Sequence, residues 1–173
     1  MLMLINREQL IKQMTDYVIN VLEERRPEFS GFAVCPFVKA DRLADQLHLD
    51  VFDNTKDTLV DVVLRFVRSG KRSALIGQPN VNVKASETKG YQEFINIVLE
   101  EGGFGDLGAL CFNPNTKMEV EKFSAYTPIP FFLINFAYHK DLGKARTALS
   151  KTNYYEKLPA TYKKFLNVQQ DND

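Results

Sequence analysis

Cys35 stands directly before Pro36 in the stretch GFAVCPFVK, residues 31–39, of a chain with two cysteines and no tryptophan. A thiol does chemistry as the thiolate, and helix N-termini or nearby cations lower a cysteine pKa. Proline suits the first position of a helix, so CPFVKADRLA reads as a short helix with Cys35 at its N-cap. There the sulfur would face the free N–H groups of Phe37 and Val38. Lys39 and Arg42 follow within two turns and would add positive charge. Cys35 is thus the candidate nucleophile or redox thiol, with Lys39 as its activating partner. The competing reading is a buried residue, since a free cysteine between Val34 and Phe37 also packs as a small apolar group. Cys111, between Leu110 and Phe112, reads as a core residue of a strand.

A second group of polar residues follows three short apolar runs. LHLDVF (47–52) leads into DNTKD, SALIG (73–77) into QPN, and GALCF (108–112) into NPNTK. In open parallel sheets, ligands bind beyond the carboxyl ends of the strands. Strands running in one direction would bring Asp53, Gln78, Asn80, Asn113 and Asn115 to one edge. Amides both donate and accept hydrogen bonds, so this edge could read a polar small molecule. Turn chemistry explains the same residues equally well, because Asn, Asp and Pro favour turns. Cys35 is expected to approach this edge and share its cleft.

The elements that must position these groups follow from periodicity. Residues 6–25 carry Leu10, Ile11, Met14, Tyr17, Val18, Val21 and Leu22 on one helical stripe. Asn6 is the cap and Gln9 its partner. Residues 47–52 alternate as a half-buried strand with Leu47, Leu49 and Val51 on one face, which turns His48 to the opposite, solvent side. A helix from Asn54 or Thr55 through Val67 stops at Gly70. Residues 73–77 read as a central strand, 86–101 as a helix ended by Gly102 and Gly103, and 108–112 as the third strand. The remainder reads as helical, at about 130–139, 142–150 and 160–166. The expected fold is α/β: a small three-stranded, mainly parallel sheet packed by helices, with a helical C-terminal region. Sheet order stays open, including an antiparallel third strand. Residues 1–168 form the single domain and 169–173 a loose tail.

Bulk composition narrows the function. Apolar residues make up 45% of the chain, enough for a core without disulfides. The 22 basic and 22 acidic residues cancel, which argues against a nucleic-acid binder. The first twenty residues carry Arg7, Glu8, Lys12 and Asp16 and no signal-peptide pattern. The longest apolar run, Ile129 to Tyr138, is about half of what a membrane span needs. These features read as a cytoplasmic protein with no membrane or nucleic-acid partner, its oligomeric state open. Positions 35, 48, 111 and 139 match no zinc spacing, and GxGxxG, phosphate-loop, GxSxG and HExxH patterns are missing. Neither metal nor cofactor is expected.

GFAVCPFVK resembles the G-x-x-x-C-P-F-x-K signature of an uncharacterised bacterial family known only as a domain of unknown function (one-four-one-five). Gly31, Cys35, Pro36, Phe37 and Lys39 match. FNPN at 112–115 is similar to the family's Phe-His-Pro, with Asn113 in place of its histidine, and TPIP at 127–130 to its Ser-Pro-Tyr-Pro turn. The family's second histidine falls at Leu133, and its arginines fall near Tyr126 and Phe136. The resemblance implies a shared fold and site region without those polar groups. Tyr126, near one such arginine position, completes a binding set of Gln78, Asn80, Asn113 and Asn115. Two functions compete: a small enzyme acting on a polar small molecule through Cys35, and a non-catalytic ligand- or protein-binding module on the same scaffold. The enzyme lacks a well-placed base, because neither His48 nor His139 is positioned to serve Cys35.

Overall fold

The computed structural model describes residues 6–114, 117–120, 123–126 and 131–157. Helix α1 (Arg7–Tyr17) begins at Asn6, whose side chain accepts from the Gln9 N–H as expected. It then widens into one π-helical turn, Val18–Leu22, closed by a bond from Glu23 N to Val18 O. A short helix α2 (Val38–Leu43) precedes strand β1 (Leu47–Val51). Helix α3 (Leu59–Ser69) starts later than expected because Thr58 and Asp61 form a reciprocal capping box. Strand β2 (Ser73–Gln78), helix α4 (Thr88–Glu101) and strand β3 (Leu107–Phe112) follow at the expected places. Strands β4 (Lys117–Val120) and β5 (Phe123–Tyr126) pair with each other, and β6 (Phe132–Tyr138) leads into helix α5 (His139–Ser150).

The main sheet has four strands in the order β1-β2-β6-β3. β1 and β2 are parallel, while β6 runs antiparallel to both β2 and β3. This corrects the three-stranded, mainly parallel sheet. The expected helix at 130–139 is the inserted strand, and two of the three pairings are antiparallel. FLINFAY is apolar on both faces because helices cover both sides of the sheet, so it carries no period-2 signal. Its single polar residue, Asn135, donates to Ala74 O across the sheet at 3.0 Å. The three strands that were expected still share one direction, and their carboxyl ends share one edge. The expected helix at 160–166 and the C-terminal tail lie outside the described residues.

Two cores sit on opposite faces. Val62, Val63 and Phe66 of α3 and Ile95 and Leu99 of α4 pack on Ala74, Ile76, Ala109, Ile134 and Phe136. Met14, Val18 and Val38 pack on Leu47, Val51, Leu75 and Leu133. His48 does face away from Leu47, but α3 covers that side, so its ring lies 6.0 Å from Phe66 and not in solvent. His139 opens α5, where it was expected near a helix end. A third cluster of Phe29, Val34, Leu149 and Tyr154 fastens the segment after α1 to the end of α5.

Side chains engage part of each sheet edge. Edge strands with free N–H and C=O groups invite further pairing. On β1, the Val51 N–H donates to Asp50 Oδ1 (2.7 Å), and Val51 O accepts from Arg65 Nη2 (3.3 Å). On β3, Asn96 of α4 accepts from Ala109 N (2.9 Å) and donates to Ala109 O (3.1 Å), and Gln92 accepts from Cys111 N (2.9 Å).

Candidate functional site

At the strand-end edge Gln78 and Asn113 are engaged with the surrounding scaffold. Gln78 is 1% exposed. Its Oε1 accepts from the Tyr91 hydroxyl at 3.0 Å and its Nε2 donates to Asn54 Oδ1 at 2.9 Å. Asn113 is 2% exposed, and its Nδ2 donates to Val83 O (2.5 Å) and Thr88 Oγ1 (3.2 Å). Asp53 accepts from the Thr55 N–H and hydroxyl, which folds the turn after β1. Asn80 is half-buried in the turn after β2 and makes no side-chain hydrogen bond among the described residues. Asn115 lies outside the described residues, and Tyr126 ends β5. The edge therefore brings Gln78 and Asn113 onto the α4 side of the sheet, as parts of the scaffold.

Cys35 is elsewhere. It packs with Met14, Val38, Leu75 and Leu133 on the opposite face from Asn113, so the expected common cleft does not form. Nor is it an N-cap: Phe37 caps α2, and the helix starts at Val38. Burial pushes the Cys35 thiol above its ordinary pKa. The Val38 and Phe37 N–H groups near the sulfur pull the other way, while the Asp41 carboxylate raises it further. The expected donors are thus present, and desolvation outweighs them. Lys39 is exposed on α2 and is not among the groups that shift the thiol. Cys111 is half-buried, with burial alone pushing its thiol up to about 12.

The loop that carries Cys35, and not the thiol itself, borders a cavity of about 270 Å³ lined by Glu23, Arg25, Phe32, Ala33, Pro36 and Lys39. Its walls come from a closed loop. The π turn delivers the chain at Leu22, and Cys35 N returns to Leu22 O at 2.8 Å. Arg25 forms an antiparallel bridge with Ala33. Between them Ser30 (φ 57°) and Gly31 (φ 82°) reverse the chain, a left-handed step that glycine makes without a Cβ penalty. A Cβ on Gly31 would meet nothing within 4 Å, so it is the backbone angle and not crowding that requires glycine. The loop is clamped from behind. The Tyr154 hydroxyl donates to Val34 O (2.7 Å) and the Ser30 hydroxyl to Asn153 O (3.0 Å). Within the cavity Glu23 is held by Arg42 through two bonds of 2.5 and 2.9 Å. Arg25 and Lys39 are exposed and form no ion pair among the described residues. Lys39 was expected here as an activator of the thiol. Arg25 was missed, because single arginines in a loop give no periodic signal.

A charged cluster was missed too. Asp50 on β1 is 0% exposed and accepts from Arg7 of α1 and from Arg65 Nε of α3 at 2.7 Å. Arg65 also bonds both oxygens of Asp57 at 2.9 and 3.1 Å. His48 Nε2 stands 3.7 Å from Asp50 Oδ2, outside hydrogen-bond reach. Burial opposes ionisation of Asp50, yet the neighbouring His48 ring, Arg65, the Val51 N–H and the Arg7 charge hold its carboxyl well below the usual range. A carboxylate so fully engaged is a fastener for β1, not a base. Its only sequence signal was the alternation that set Asp50 and His48 on one side of β1.

Among the described residues no group of three or more His, Cys, Asp or Glu converges on a metal site. No described helix is long and apolar enough to cross a membrane. Comparison with family models, curated proteins and solved structures gave no match.

Proposed function

We propose that the protein is a non-catalytic binding module that takes a polar small molecule in the cavity beside Cys35. The observation that carries this reading is the contrast within one loop. Cys35 is turned into the core with its pKa raised, while its neighbours Ala33 and Pro36 line a cavity that also holds Arg25 and Lys39, two cations with no ion pair among the described residues. Pockets that bind small molecules combine an apolar lining with a few polar groups that fix orientation. Phe32 and Pro36 provide the first here, and Arg25 and Lys39 the second. A thiol catalyst would need thiolate at neutral pH, and burial works against it. The resemblance of Gly31 to Lys39 to a family signature draws attention to the same loop, whose Gly31 and Pro36 shape the cavity.

The enzymatic reading keeps one support, the thiolate-favouring effect of the Phe37 and Val38 N–H groups. Thiol labelling decides between the readings. With iodoacetamide at neutral pH, Cys35 and Cys111 of the folded protein should both label slowly, and both should label fast after denaturation. Rapid labelling of Cys35 in the folded state would return the thiol to the centre of the function.

A further inference from the structure

We infer that the ligand of this cavity is a small organic anion: a phosphate or carboxylate carried on a ring or other compact apolar body. The inference rests on the binding reading above and names the ligand's chemistry. Three charged side chains line the cavity, and they are not equivalent. Glu23 is neutralised by the two-pronged Arg42 pair, so it offers little repulsion. Arg25 and Lys39 have no such partner among the described residues, and the lining carries two positive charges that these residues leave unspent. An arginine presents a planar fork that fits two oxygens of one anion, and a lysine adds a point charge with three donors. The opposite character comes from Phe32, Ala33 and Pro36, an apolar wall against which a ring can lie. A cavity of about 270 Å³ suits a ligand of a few to about a dozen heavy atoms.

The loop is built to hold this arrangement before the ligand arrives. Arg25 and Ala33 are bridged, Arg26 N donates to Phe32 O at 2.9 Å, and Val34 N to Glu24 O at 3.2 Å. Both arms of the loop are thus fixed to each other, with Lys39, the second residue of α2, also on the lining. A preformed site loses less freedom on binding, and this raises affinity for a given set of contacts.

Calorimetric titration with phenyl phosphate, inorganic phosphate and benzamide separates the contributions. Phenyl phosphate should bind most tightly, since it uses both the cations and the apolar wall. Inorganic phosphate should bind more weakly, and the neutral benzamide weakest. Arg25→Ala and Lys39→Ala should each weaken phenyl phosphate about tenfold, as expected for loss of one charge-assisted contact, and added salt should weaken it further. Both side chains are exposed, so the variants should melt like the parent. Phenyl phosphate binding that is untouched in the Arg25→Ala/Lys39→Ala double variant would overturn the inference. Benzamide binding as tightly as phenyl phosphate would overturn the anion and leave the binding reading standing. Binding of none of the three would overturn both.

Discussion

The strand-end edge and the loop beside Cys35 are both rich in polar residues, and they use them in opposite ways. At the edge, Gln78 is bonded to Tyr91 and Asn54, and Asn113 to Val83 and Thr88. In the loop, backbone bonds do the holding, and Arg25 and Lys39, which line a cavity, form no ion pair among the described residues. Buried polar groups are hydrogen-bonded because leaving them unpaired is costly. A group already spent on the scaffold cannot greet a ligand without breaking what it holds. Polar composition alone therefore does not locate a site. The useful distinction is between side chains that are satisfied internally and those that are not.

Substitutions can break this comparison, and Asp50 gives the largest expected effect. It is the extreme case of a spent group, so Asp50→Ala should destabilise the fold by about 3 kcal/mol. That is the lower end for removing one partner of a buried charge pair, since Arg7 and Arg65 keep some access to water. The folded carboxyl titrates below its ordinary value. Its contribution is thus complete above about pH 4, where an unfolded aspartate is ionised, and is lost as pH falls from there through the folded value. Urea unfolding of parent and variant across acid to neutral pH should show the gap narrow below about pH 4. A gap that stays constant with pH would show that Asp50 acts through packing and not through charge.

Next come the edge amides. Asn113→Ala leaves Val83 O and the Thr88 hydroxyl without this donor, and Gln78→Leu strands the Tyr91 hydroxyl and Asn54. Each should cost about 1–3 kcal/mol, the penalty for a buried group left unsatisfied. Denaturant midpoints that do not move would free these amides from the scaffold and reopen the edge as a binding surface. The smallest expected change is at the loop cations. Arg25→Ala and Lys39→Ala should shift stability by no more than about 0.5 kcal/mol, as for exposed residues outside structural networks. A larger loss would place them in the scaffold with Gln78 and Asn113.

Elements with a clean period were legible in the sequence. The stripe of α1, the alternation in LHLDV and the glycine stop at Gly70 each reflect one local rule, and α4 ends at its expected glycine pair. β6 was not legible. A strand buried on both faces has no alternation, and its Pro128 and Pro130 suit a helix start as well as a strand approach. That misreading propagated, because β6 is the strand that makes the sheet mixed. At the site, Cys35, Lys39 and Gly31 stood out by type and order. What remained hidden was direction. Whether Cys35 turned toward the amides or the opposite core depended on which face α1 and the loop occupied, and that is a tertiary fact. The same holds for Asp50 and Arg65, fifteen residues apart in sequence and joined only when α3 crosses β1.

The central claim is that ligand binding belongs to the loop cavity and not to the strand-end edge. Amide chemical-shift mapping with phenyl phosphate tests it most directly, since one titration observes both regions. The account predicts saturable shifts at Arg25, Phe32, Ala33 and Lys39, with Gln78, Tyr91 and Asn113 unmoved. Shifts centred on Gln78 and Asn113, with the loop silent, would contradict it.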